Sequence, residues 1–206
     1  LKRSERKVRN LGFFKDVKIN REPSVYADKV NIVIDVEEDR TGELSFGGGF
    51  STADGPLGDV RFAEHNFRGR GQDLSMGVTY AKRRQEFDVS FTEPYFLDRD
   101  LAAGIDLYRI NHNQYFNQTF DQKVYGATFR LGYNLAEDLL QQLTYTIRRD
   151  DIGDIKGDVS SIIKEQRGKT TLSEVGQTIT YDKRDSSVNP TQGYMMGFSN
   201  NFAGVG

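Results

Sequence analysis

From Thr41 onward the chain runs in segments of roughly ten residues whose side chains alternate apolar and polar, each closed by a turn signal. A period of two places one set of side chains on each face of an extended strand. No stretch approaches the ~18 consecutive apolar residues that a membrane-spanning helix needs. The pattern therefore points to antiparallel β structure, either a soluble sandwich or a membrane barrel.

About nine such segments can be placed. The first covers Thr41 to Ser51, with Leu44, Phe46 and Phe50 opposite Glu43, Ser45 and Ser51. The second covers Asp59 to Phe67 and ends at the turn Arg68-Gly69-Arg70-Gly71. The third sets Leu74, Met76, Val78 and Tyr80 against Asp73, Ser75, Gly77 and Thr79, and the fourth sets Phe87, Val89 and Phe91 against Asp88, Ser90 and Thr92. Glu93-Pro94 closes the fourth, since proline cannot donate to a ladder. The fifth runs from Leu101 to Ile110, the sixth through Tyr125 to Tyr133, the seventh through Gln142 to Arg148 and the eighth through Glu174 to Tyr181. The ninth starts after Gly193.

Three features favour the barrel. The segments approach the ~9–11 residues that cross a bilayer at a tilt. Their polar faces carry Gly, Ser, Thr and isolated charges, as a wet lumen does, and Tyr and Phe gather near their ends as in an aromatic girdle. The connections Arg68–Gly71, Glu93–Asp100, Leu135–Asp138 and Asp185–Gly193 form an expected short rim, and Asn111–Asp121 and Asp150–Lys169 a long one. Composition agrees: 12% aromatic, 21 glycines and 4 prolines in 206 residues, with 36% hydrophobic.

The first forty residues read differently. Val8, Leu11 and Phe14 recur at helical spacing, predicting a helix from Leu1 to Phe14 with Gly12 as its stop. Asp16–Asn20 alternates as a strand, Glu22-Pro23-Ser24 marks a turn, and Val30–Val36 is a second strand. Glu37-Glu38-Asp39-Arg40 reads as a charged, solvated boundary. The expected domains are 1–39, a small α+β unit, and 40–206, the alternating strands. A start at Leu1 suggests an internal fragment of a longer protein.

Chemistry is sparse. A net charge of −2 gives no basic excess for nucleic acid. The absence of cysteine removes thiolate and disulfide chemistry. His65 and His112 lack metal-ligand spacing, no serine sits in a nucleophile elbow, and Gly47-Gly48-Gly49 opens no helix. Neither metal, cofactor nor catalytic residue is expected. The glycine triplet removes cross-strand side-chain contacts. It can serve a bulge or close packing, or a deliberately labile seam.

Leu11-Gly12-Phe13-Phe14 with its two strands resembles the end of a POTRA domain. Thr41-Gly42-Glu43-Leu44-Ser45-Phe46-Gly47-Gly48-Gly49-Phe50 resembles the first barrel strand of the BamA family of outer-membrane assembly factors. Glu93-Pro94-Tyr95-Phe96 looks like that family's second periplasmic turn. Asp182 and Asp185, followed by Asn189-Pro190-Thr191-Gln192-Gly193, look like the surface-antigen barrel signature.

The resemblance implies a mainly β fold, the N-terminal half of an antiparallel transmembrane β-barrel preceded by the C-terminal part of a POTRA domain. The family barrel has about sixteen strands, an even number. It implies a bacterial outer-membrane location with residues 1–39 in the periplasm. The implied partners are unfolded outer-membrane β-barrel proteins, assembly lipoproteins and the lipid bilayer. Residues Thr41 to Phe50 become the expected edge for pairing with substrate strands. The alternative is a POTRA-barrel transporter of the two-partner secretion type, exporting a polypeptide through its lumen.

Overall fold

The computed structural model describes residues 2–9, 11–26, 28–52, 54–113, 120–153, 155, 161, 165, 167–185 and 190–204. The N-terminal unit is helix α1 (Lys2–Arg9) followed by strands β1 (Phe14–Pro23) and β2 (Val30–Glu38), which pair antiparallel. The helix is shorter than its apolar spacing predicts. Leu11 and Gly12 donate back to the Val8 and Arg9 carbonyls, closing a turn, and Phe14 starts β1. Arg9 donates to the Val17 carbonyl at 3.2 Å, and Val17 is wholly buried on the strand that α1 packs against.

Glu22 and Pro23 belong to β1, so the turn falls later, where Lys29 donates to the Tyr26 carbonyl. Glu37 and Glu38 are ladder residues of β2, paired with Asp16 and Phe14, so the charged boundary shrinks to Asp39 and Arg40. Pairing extends both strands because each added residue satisfies otherwise bare backbone groups.

The rest forms one nine-stranded antiparallel sheet in sequence order. Its strands are β3 (Gly42–Ser51), β4 (Gly55–Phe67), β5 (Gln72–Ala81), β6 (Arg84–Glu93), β7 (Leu101–His112), β8 (Asp121–Ala136), β9 (Leu139–Gly153), β10 (Gly168–Asp182) and β11 (Met195–Ala203). All nine expected strands are present. Several are longer than their alternation suggests: Asn111 and His112 lie in β7, Leu135 in β8, Asp150 to Gly153 in β9, and Gly168 and Lys169 in β10. The expected loops 111–121 and 150–169 shrink accordingly, and most of their remaining residues lie outside the described set, as does Asn189.

The expected contrast between rims is weaker than predicted. On the rim away from the N-terminal unit, β3–β4 and β5–β6 are joined by connections as short as 52–54 and 82–83. On the near rim, 183–194 is long. Tight hairpins arise where flanking strands pair to their ends, whatever rim they lie on.

The two faces follow the alternation. Across β3 to β6, Leu44 faces Phe62, Phe62 faces Met76 and Met76 faces Val89, all on one face. This apolar face is open, with Phe46 73% and Phe198 66% exposed. The opposite face is polar and interlinked. Arg130 ion-pairs with Asp106 at 2.8 Å and donates to Ser90 and Thr92 at 3.0 Å, while Thr128 and Thr146 share a 2.9 Å hydrogen bond. A sheet with its large apolar side chains facing outward and its polar side chains linked inward matches the wall of a membrane barrel. No helix among the described residues is long and apolar enough to cross a membrane.

Candidate functional site: the edge of β3 and the rim beneath it

Among the described residues, β3 ends the sheet and pairs with β4 alone. Its ladder runs unbroken from Gly42, opposite Glu64, to Ser51, opposite Gly55, so the glycine triplet makes no bulge. The hydrogen-bond directions follow from one contact, His65 N–H donating to the Thr41 carbonyl. With Gly42 opposite Glu64, this marks Gly42 as a non-hydrogen-bonded pair. Alternation then turns the N–H groups of Glu43, Ser45, Gly47, Gly49 and Ser51 toward β4. Those of Gly42, Leu44, Phe46, Gly48 and Phe50 point to the free edge.

Each residue of the expected edge can now be placed. Leu44, Phe46 and Phe50 are on the apolar face, and Glu43 and Ser45 on the polar face. Thr41 donates its hydroxyl to Glu64 just below the strand. Gly47 lies under the Asp59 carboxylate, which occupies the space a Cβ would need. The triplet therefore combines one close approach with two positions, Gly48 and Gly49, that carry no side chain to grip β4.

The rim beneath β3 joins motifs that are far apart in sequence. Glu64 also accepts from Asn66 N–H at 3.0 Å, and Gly71 N–H donates to the Asn66 side chain at 2.7 Å. Glu93 accepts from Gln72 at 2.6 Å and from Tyr95 N–H at 3.2 Å, tying the β4–β5 turn to the β6–β7 turn. Pro94 and Tyr95 form that turn, and Phe96 starts a short 3-10 segment, Phe96–Asp98. The Phe13 ring and Pro94 both approach Gly71: a Cβ built there would lie 3.3 Å from the ring and 3.9 Å from Pro94 Cγ. Two segments noted for their resemblance, 11–14 and 93–96, thus meet at one point.

Residues 182–185 and 190–193 are tied to one another. Arg184 donates to both Asp182 carboxylate oxygens at 2.9 and 2.7 Å. Asp185 accepts from the Thr191 hydroxyl at 2.5 Å, Thr191 N–H at 2.9 Å and Gln192 N–H at 3.1 Å. Those donors, the Thr191 hydroxyl foremost, hold its carboxyl well below the usual carboxylate range. Lys183 bonds Asp138 at 2.5 Å, and this carboxylate contact raises its ammonium pKa. Gly193 has φ +101°, and a Cβ there would run into the Lys183 carbonyl, so the position requires glycine. Pro190 lies in the same connection, between the strands.

Sequence reasoning missed Glu64, Asn66, Asp59 and the Arg130 cluster. A usable signal existed for the last: Asp106 and Arg130 have polar-face parity in successive strands. Among the described residues, no group of three potential ligands could hold a metal ion.

An antiparallel sheet with an open apolar face and a linked polar face is a segment of a transmembrane-type β-barrel wall. The Omp85 superfamily domain model matches residues 66–206. The chain belongs to the Omp85 superfamily. It is 30% identical over 203 residues to the outer membrane protein assembly factor BamA of Neorickettsia risticii, covering 98% of this chain and 27% of that protein. It is 31% identical over 206 residues to the BamA of Nitratidesulfovibrio vulgaris, covering 99% and 25%. The chain thus spans about a quarter of the length of these curated relatives.

Among solved structures, BamA from Haemophilus ducreyi lacking POTRA domains 1–3 superposes with a TM-score of 0.67 at 19% identity, covering 98% of this chain and 41% of that one. CdiB from Acinetobacter baumannii gives 0.60 at 11% identity, covering 98% and 40%. At those identities the structural likeness speaks for the fold.

Proposed function

We propose that this chain is part of an outer-membrane protein assembly factor that folds and inserts β-barrel proteins by pairing their strands with the free edge of β3. The observation that carries the reading is that, among the described residues, β3 lies at the edge of the sheet with the N–H groups of Gly42, Leu44, Phe46, Gly48 and Phe50 turned outward, beside the exposed side chains of Leu44, Phe46 and Phe50. An unpaired edge is a template for another strand. In hydrocarbon each unsatisfied backbone group costs several kcal/mol, so pairing is strongly driven. Backbone pairing requires no catalytic side chain. The names of the curated relatives support the assembly role.

On this reading the protein resides in a bacterial outer membrane. Residues 1–39 are the C-terminal part of a POTRA domain on the periplasmic side, on the rim of the 68–71 and 94–100 connections. Its partners are unfolded barrel proteins and the bilayer. Assembly lipoproteins of the kind the family resemblance implies contact the protein through its periplasmic part.

The natural absence of cysteine in this region permits a direct test in the full-length protein. Cys placed singly at Ser45 or Phe46 should crosslink a stalled substrate carrying Cys in its last strand. Cys at Thr128 or Thr144, on interior strands β8 and β9, should not. Equal crosslinking at the interior positions would reject edge pairing and favour passage through the lumen.

A further inference from the structure

The apolar face carries two arginines in one cross-strand row. Arg109 of β7 faces Tyr125 of β8, which faces Arg149 of β9. All three are exposed, and the Arg109 guanidinium lies over the Tyr125 ring at 5.3 Å. A row further along, Lys123 faces Asp151, which faces Lys169. Among the described residues, Asp151 and, beyond it, Asp121 are the carboxylates in this part of the face. Four cations therefore meet two acids here.

These arginines differ from those on the polar face. Arg130, Arg148 and Arg84 are paired with Asp106, Asp150 and Glu86. Among the described residues, Arg109 and Arg149 have no carboxylate partner. With Tyr125 they line an open groove of about 480 Å³, together with Phe87, which faces Arg109 in the same row, and Leu107, Ala127 and Ile147, one row nearer the middle of the sheet. Charge at one end and an open apolar surface running from it match a lipid headgroup and its chain.

The depth fits. Tyr133 and Tyr125 both face outward on β8, eight residues apart, or about 26 Å of strand. Tilted by ~40°, that spans about 20 Å of an apolar band ~25 Å tall, which places the two tyrosines near its two boundaries. β8 and β9, at 16 and 15 residues, exceed the ~9–11 needed to cross. Arg109 and Arg149 therefore lie at the boundary away from the N-terminal unit. An outward arginine there is at the level of the leaflet's headgroups. Guanidinium groups pair with phosphate through two parallel hydrogen bonds, and stacking on Tyr125 pre-orients one of them. The strand spacing of ~4.8 Å puts the two arginine backbones roughly 10 Å apart, within reach of one phosphate between them.

We propose that Arg109 and Arg149, on either side of Tyr125, hold the phosphate of an anionic membrane lipid whose acyl chain lies along Phe87, Leu107, Ala127 and Ile147. The inference rests on the reading of this sheet as a membrane barrel wall but not on edge pairing by β3. It assigns the site to the leaflet opposite residues 1–39.

The test is native mass spectrometry of the full-length protein, released from a non-ionic detergent after titration with dioleoyl phosphatidic acid. The folded state is checked beforehand by heat-modifiable gel mobility. The double variant Arg109→Gln/Arg149→Gln should retain at least tenfold less lipid than the parent. Arg148→Gln, one residue away on the polar face, should retain as much as the parent. Dioleoylglycerol, which lacks the phosphate, should bind poorly. Excess inorganic phosphate should not displace the lipid. If the double variant folds poorly, the single variants Arg109→Gln and Arg149→Gln should each show a partial loss. The site is refuted if variants and parent bind alike, if Arg148→Gln loses as much, if dioleoylglycerol binds equally, or if inorganic phosphate displaces the lipid. Strand-pairing crosslinks at Ser45 and Phe46 should survive the arginine substitutions, which separates failure here from failure of the assembly reading.

Discussion

Replacing Gly48 with proline separates the free edge of β3 from its paired edge. Gly48 is a non-hydrogen-bonded position, so its N–H points away from β4, and Gly48→Pro removes a donor that an incoming strand would use. The β3–β4 ladder keeps every bond, and proline is tolerated on a sheet edge. Gly48→Ala is the control. Its Cβ would meet only the Leu57 carbonyl at 3.9 Å, an ordinary contact, and its N–H remains. Gly49→Pro is the converse, removing a bond to β4. One missing donor in hydrocarbon leaves an opposing carbonyl unsatisfied at a cost of several kcal/mol. Since ~1.4 kcal/mol is a factor of ten, Gly48→Pro should slow substrate assembly at least tenfold. The assay is insertion of a radiolabelled barrel substrate into liposomes containing the full-length variant, with heat-modifiable mobility as the folding check. Gly48→Pro should fold and fail, Gly48→Ala should fold and work, and Gly49→Pro should melt at a lower temperature. A folded Gly48→Pro that assembles substrate as fast as Gly48→Ala would refute edge pairing at this strand.

Other expectations test the remaining parts. Phe129, outward between Ile105 and Tyr145, should not tolerate arginine, at a cost of ~2–4 kcal/mol near the midplane, whereas Thr128→Arg on the polar face should insert normally in a membrane-integration assay. The Asp185 carboxyl is held below its unfolded value of about 3.9. Its contribution is therefore present above about pH 4 and is lost progressively as pH falls from there through the lower folded-state value. Amide protection at Thr191 and Gln192 should stay level from about pH 7 to 4 and fall below that, while Asp185→Asn should lower it at neutral pH and flatten the acid response. Phe13→Ala removes the ring that approaches Gly71. Spin labels at Ser24 and Thr79 should then give a broader distance distribution, and an unchanged one would show that the ring does not fix the N-terminal unit.

Much of the fold was legible because the side a residue faces is a local property of extended chain. The alternations Leu44, Phe46, Phe50 and Tyr125 to Tyr133 marked the apolar face, and each expected strand is present. Helix α1 was misjudged at its end because Val8, Leu11 and Phe14 fit a helical period that a turn at Leu11 and Gly12 cuts short.

What the sequence determined by itself was the number of strands and the chemistry of each face, since both follow from a period of two. Only the tertiary structure decided where strands stop, which donors of β3 are free, and which distant groups meet. Strand length and hydrogen-bond direction depend on the register with a partner, and no residue carries its register alone. Arg130 reaches Ser90 across 40 positions, and Phe13 and Pro94 both approach Gly71, only because pairing brings those strands and turns to one place. Arg109, Tyr125 and Arg149 are likewise ordinary residues in three separate strands, and antiparallel pairing sets them in a single row.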